Sequence, residues 1–137
     1  MITIRTGALI KAVREQAAAK PAHVYQPTAV NEQCEYITFL DTLDVEPEPG
    51  CIVGAALIDM GIPVDAFRLS TGYTPINETS VGILLTTLNK VDGYATNAGE
   101  YPQDMEWLNT VQDYQDQGFT WSEAINKADN AMVGEEA

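Results

Sequence analysis

Histidine is almost missing from this 137-residue chain, which has His23 alone, and cysteine is limited to Cys34 and Cys51. A structural zinc site built on those three would lack a fourth ligand of the same kind and the closely spaced ligand pairs such sites use. Phosphate-cradling glycine loops are absent too. Gly50-Cys-Ile-Val-Gly54 carries neither a Lys-Ser/Thr ending nor the dinucleotide spacing. Asp41-Thr-Leu-Asp44 has no loop glycine and no bidentate acid at the offset a calcium loop needs. These absences predict a protein that works without a cofactor or a metal. Basic residues are also scarce, seven against twenty acids, for a formal net charge of −13. A field of that sign repels nucleic acid and anionic membranes, so neither is expected as a direct partner. No apolar run approaches the roughly 20 residues of a membrane span. The first residues lack the basic-then-apolar pattern of a secretory signal. The expected location is the cytoplasm, with reduced thiols; a Cys34–Cys51 disulfide satisfies spacing alone and conflicts with that compartment.

What the sequence does have is one compact apolar block, Pro49-Gly-Cys-Ile-Val-Gly-Ala-Ala-Leu57, continuing to Met60 and closed by Gly61 and Pro63. It is too short for a membrane and suits a helix buried on most sides. Gly54, Ala55 and Ala56 give it a narrow waist for close neighbours, which suits core packing or a homodimer. The pattern along the rest of the chain predicts an α+β, mainly α fold: about five helices packed around this short central helix, with a small β-hairpin. Residues 1–133 read as one globular domain and 134–137 as a frayed acidic tail.

Residues 6–20 form an amphipathic helix with Leu9, Ile10, Val13 and Ala17 on one face, capped by Thr3 or Thr6. Residues 34–40 are the clearest strand, to be paired with Val24-Tyr25 or Leu43-Asp-Val45. Glu46-Pro-Glu-Pro-Gly50 reads as a stiff acidic loop. A short helical piece with Phe67 and Leu69 follows. Then comes a helix capped by Asn77 or Thr79, running to about Lys90, with Val81, Leu84, Leu85 and Leu88 as its stripe. Pro102 opens the next helix, whose buried face carries Met105, Leu108, Val111 and Gln115, and Gly118 stops it. Thr120-Trp-Ser-Glu123 is a capping box with Phe119 at the staple position. Trp121, Ala124, Ile125, Ala128 and Met132 run down one face of the last helix.

Few residues here suit chemistry. Cys51 stands at the amino end of the central helix, where the macrodipole lowers a thiol pKa, and His23 is the one base available to it. The plainer reading makes Cys51 a small buried apolar residue. The aromatics Tyr73, Tyr94, Tyr101, Trp107 and Tyr114 are candidates for an interface. Charge is unevenly spread. Residues 1–20 hold Arg5, Lys11, Arg14 and Lys20 against Glu15, a net of +3, so the remainder carries −16. Residues 92–123 contain seven acids and no Lys or Arg.

Three stretches taken together resemble a known group. They are Cys34-Glu-Tyr36, then Pro49-Gly-Cys-Ile-Val-Gly-Ala-Ala-Leu57 with Gly61-Ile-Pro63, then Val111-Gln-Asp-Tyr-Gln-Asp-Gln-Gly118 leading to Thr120-Trp-Ser-Glu-Ala124. Their combination resembles small uncharacterised proteins of actinobacterial bacteriophages and their hosts. The resemblance implies a setting, the cytoplasm of an infected bacterium, and carries no catalytic residues across. The expected function is therefore that of a phage-type accessory protein that binds a host protein, one with a basic surface, without catalysis. Two alternatives stand beside it: a nucleic-acid mimic that inhibits a host DNA-binding defence enzyme, and a thiol-dependent hydrolase or transferase using Cys51 and His23.

Overall fold

Cys51 opens the apolar block as the N-cap of helix α2, Ile52–Asp59, whose Ile52, Val53, Gly54, Ala56 and Leu57 are all buried. A computed structural model describes residues 2–25, 35–38, 46–69 and 76–136 of the chain. Its architecture is α+β and mainly α, with five α-helices among the described residues: α1 (Thr6–Ala19), α2, α3 (Val81–Leu88), α4 (Pro102–Asp116) and α5 (Trp121–Glu136). The main packing layers are α1 along α2 and α4 along α5, with α1 and α3 also resting on α4. One continuous hydrophobic cluster joins them. Full burial of an Ile, Val or Leu is worth about 1.5–3 kcal/mol, so Ile52, Val53 and Leu57 make α2 a principal source of stability.

The glycine in the middle of α2 has a geometric reason. A Cβ placed on Gly54 would lie 2.0 Å from the Tyr36 carbonyl oxygen and 2.7 Å from its Cα. The narrow face of the helix is thus filled by the chain's own backbone at Tyr36. Two further bonds fix that crossing, Gly50 N–H to Tyr36 O at 2.9 Å and Cys51 N–H to Glu35 O at 3.1 Å. The end of α2 is a Schellman motif: Gly61 has φ +94°, its N–H bonds Ile58 O, and Ile62 N–H bonds Leu57 O. Gly118, at φ +98°, closes α4 the same way, with Phe119 N–H on Tyr114 O. There the two rings stack edge to face at 5.7 Å, which is the apolar contact expected of the motif.

The antiparallel strand pair is present, but not with the partner expected. β2 (Ile37–Thr38) pairs with β3 (Glu48–Pro49), matching Ile37 with Pro49 and Thr38 with Glu48. Proline cannot donate to a ladder, which argues against Glu48-Pro49 from sequence; at the end of an edge strand the missing donor does no harm. Val24 bridges Thr120 at the start of α5 instead, while Leu43-Asp-Val45 and Cys34 lie outside the described residues. A second pair was not anticipated. β1 (Ile2–Ile4) lies parallel to β4 (Tyr94–Thr96), with Ile2 opposite Tyr94 and Ile4 opposite Thr96.

Two expected caps are replaced by others. Arg5, not Thr3 or Thr6, is the N-cap of α1, and its side chain makes no cap bond. Thr6 is buried, donating its N–H to Asn97 Oδ1 at 2.8 Å and its hydroxyl to Asp104 Oδ2 at 2.7 Å. An orphan donor of the first turn is therefore satisfied by a residue far along the chain. Ser80 caps α3, accepting from Ile83 N–H. Asn77 is buried and used elsewhere: its Oδ1 accepts Ile37 N–H at 2.8 Å and its Nδ2 donates to Ile37 O at 2.9 Å, a side chain acting as a neighbouring strand. The stripe Val81, Leu84, Leu85 and Leu88 is buried as expected. The capping box of α5 is also formed, Glu123 N–H on Thr120 Oγ1 and Thr120 N–H on Glu123 Oε1, each 3.1 Å.

Candidate functional site

Cys51 and His23 are anchored in different parts of the fold. Cys51 is 0% exposed, with a free thiol, and its backbone N–H is taken by Glu35 O. His23 is exposed. Its carbonyl accepts Trp121 N–H at 2.9 Å, and its ring stands edge-on to Trp121 with centroids 4.4 Å apart. Partial burial, with the positive charge of Lys20 nearby, lowers its pKa from the usual histidine value. A nucleophile must be reached by its substrate, and the sulfur of Cys51 is sealed in the core. Among the described residues no group of three or more His, Cys, Asp or Glu side chains is placed to hold a metal ion.

The aromatic candidates divide. Trp107 is 4% exposed and belongs to the core, which corrects its assignment as an interface residue. Its Nε1 donates to Asp129 Oδ1 at 2.8 Å, and the Arg14 guanidinium lies 4.6 Å from its ring centroid. Arg14 in turn grips Asp129 with two bonds of 3.0 and 2.8 Å. The Arg14 pair holds the Asp129 carboxyl below its usual pKa. This cluster braces α1, α4 and α5 together. Tyr114 is half-buried against Phe119, with the Lys127 ammonium over both rings. Tyr94 is half-buried in β4. Tyr101 is 49% exposed, as is Ile83 on α3, an apolar side chain opposite the stripe that the sequence reading passed over. Tyr73 lies outside the described residues.

The acids of the second half have a consistent setting. Asp92, Glu100, Glu106 and Asp113 are exposed, and none of the seven acids between positions 92 and 123 forms an ion pair with a described residue. The other three are tied by hydrogen bonds: Asp104 to Thr6, Asp116 to Gln115 and Glu123 to the α5 cap. Glu106 and Asp113 are seven residues apart on α4, hence on one face two turns apart. Exposed Tyr101 immediately precedes that helix. What these positions offer chemically is exposed negative charge, carried on one face of α4 by Glu106 and Asp113, with an exposed aromatic at the start of that helix. That charge was legible in the sequence, as was Tyr101 as a surface aromatic; the burial of Trp107 was not.

Comparison with protein-family models, curated proteins and solved structures finds no match for this chain. No helix among the described residues is long and apolar enough to cross a membrane.

Proposed function

We propose that the protein is a binding module, not an enzyme, which engages a basic surface of a host protein through the face carried by residues 92–116. The proposed setting is the cytoplasm of a bacterium infected by an actinobacterial phage, as the resemblance implies. The observation that supports this reading most is the set of exposed carboxylates at Asp92, Glu100, Glu106 and Asp113, none of them ion-paired with a described residue. Unpaired surface charges of one sign raise the rate and selectivity of association with an opposite charge. Tyr101 supplies the apolar contact that long-range attraction alone does not give. The sealed position of Cys51 supports a non-catalytic role.

The test is affinity capture from actinobacterial lysate with the wild-type protein and with the triple variant E100K/E106K/D113K. A partner that saturates the wild-type protein, is lost from the variant and is released by moderate salt supports the proposal. Equal recovery by both proteins, or recovery unchanged by salt, refutes it.

A further inference from the structure

Asp116 is the last residue of α4, and three features of its position act in one direction. The carboxylate is half-buried, Asp113 stands one turn earlier with the same charge, and the negative end of the helix dipole lies at this end. Each disfavours the ionised form, burial most, and the pKa is pushed up to about 6. Opposing them is the Gln115 amide, whose Nε2 donates to Asp116 Oδ1 at 2.5 Å.

Charges on the neighbouring elements are committed elsewhere or distant. Helix α3 contains no ionisable side chain; α2 has Asp59 at its far end and the Cys51 thiol at its cap. On α5, Glu123 is held in the capping box, Lys127 lies over Tyr114 and Phe119, and Asp129 is paired with Arg14 of α1. Lys11 and Glu15 of α1 are exposed, and Glu35, beside the start of α2, is half-buried.

Gln115 itself is 0% exposed, and its other end, Oε1, accepts the Ile52 N–H at 3.0 Å, the first of α2. The two preceding N–H groups, Gly50 and Cys51, hold the carbonyls of Tyr36 and Glu35. One buried amide therefore joins a titrating carboxylate to the point where the central helix meets the β2–β3 pair.

We propose that Asp116 and Gln115 form a proton-operated relay, in which gain or loss of a proton at Asp116 is felt through the Gln115 amide at the amino-terminal end of α2. An ionised Asp116 makes a charge-assisted bond that fixes and polarises the amide, strengthening Oε1 as an acceptor. Protonation removes that assistance and loosens the Ile52 N–H bond. The residue at the receiving end has no titratable side chain, so its response reports the relay and not its own ionisation.

The experiment is 1H–15N NMR of the full chain between pH 4.5 and 7.5. The Ile52 amide resonance is expected to move with a midpoint near pH 6 in the wild-type protein. In D116N that titration disappears. In D113N it persists with a lower midpoint, because the like charge is gone. In H23Q it is unchanged, since His23 packs on Trp121. A flat Ile52 resonance in the wild type, a titration that survives in D116N, or its loss in H23Q overturns the relay.

Discussion

Replacing Gly54 with alanine adds one methyl group at the place where α2 meets the Tyr36 backbone. That carbon would sit 2.0 Å from Tyr36 O, 2.6 Å from its carbonyl carbon and 2.7 Å from its Cα. These are main-chain atoms, so no rotamer change relieves the overlap, and a segment must move by an ångström or more. The Gly50 and Cys51 N–H bonds to residues 36 and 35 hold that segment. Loss of each costs about 0.5–1.5 kcal/mol net, and overpacking adds about 1–3 kcal/mol. Against this, alanine gains about 1 kcal/mol of helix propensity over glycine. The balance is a loss of about 1–5 kcal/mol, a large share of the roughly 5–15 kcal/mol that holds a domain together. For a chain of this length each kcal/mol moves the melting temperature by roughly 3–4 °C, so a fall of roughly 3–20 °C is expected. Gly7 in α1 and Gly82 in α3 provide the controls, since a Cβ at either meets nothing within 4 Å. G7A and G82A should leave the midpoint unchanged or raise it by a few degrees at most. Thermal and urea unfolding followed by circular dichroism measures all three. A G54A protein as stable as G82A refutes the close-approach argument.

Three further outcomes follow from the same geometry. Because Cys51 is sealed in the core, iodoacetamide at neutral pH should label it only as fast as the protein opens; labelling of Cys51 itself, told from Cys34 by peptide mass spectrometry, at the rate of a free thiol in the native protein contradicts its burial. The Arg14–Asp129 pair is well over a third exposed at both ends, so its direct contribution is about 0.2–1 kcal/mol. D129N should cost somewhat more, because the Trp107 Nε1 bond weakens as well. Asp129 has a folded pKa below its unfolded value, so the stability it gives is present above pH 3.8 and lost as acid protonates the folded state. A D129N melting curve that coincides with wild type at pH 7 counts against the brace. Asp116 has the opposite sign. Its folded pKa of about 6 lies above the ordinary aspartate value of 3.8, so its ionised form opposes folding above pH 6 and the penalty fades as pH falls toward 3.8. D116N should therefore be more stable than wild type at pH 7 and no more stable at pH 4, as read from urea midpoints at each pH.

Those features of the fold that rest on local chemistry were readable before any coordinates. The 3.6-residue stripe of α3, Pro102 at the first turn of α4, the capping box at Thr120 and the left-handed glycines 61 and 118 each involve residues within seven of one another. The features missed are pairings across long separations. Asn77 serves Ile37, Gln115 serves Ile52, and Asn97 serves Thr6, at 40, 63 and 91 residues apart. Periodicity carries no information about such partners, and a buried amide looks in sequence like any other polar residue. Trp107 failed for a related reason: it adjoins the stripe at Leu108 and widens the buried face, while its indole N–H needs an acceptor that only α5 supplies. For the candidate site, the sequence displayed the charge, but burial alone sorted Tyr101 from Trp107.

Stability of the free molecule and its association with the proposed partner should respond to salt in opposite directions. Among the described residues the buried polar side chains are neutral, Thr6, Asn77, Gln112 and Gln115, so hydrogen bonds and apolar packing hold that core together. Outside, a net charge of −13 repels itself, and none of the acids between residues 92 and 123 forms an ion pair with a described residue, Lys127 acting on Glu123 only through space. Raising ionic strength from about 0.01 to 0.15 M shortens the screening length from roughly 30 to 8 Å, which relieves that repulsion. The melting temperature of the free protein should therefore rise with sodium chloride over this range. The proposed association with a basic partner would run on the same charge and should weaken over the same range, mainly through a slower on-rate. The two trends come from one source, so the charge-reversal variant E100K/E106K/D113K should flatten both together. A free protein that loses stability as salt is added would mean that internal ion pairs hold the fold. The acidic face would then be part of the scaffold, with no charge left over for a partner.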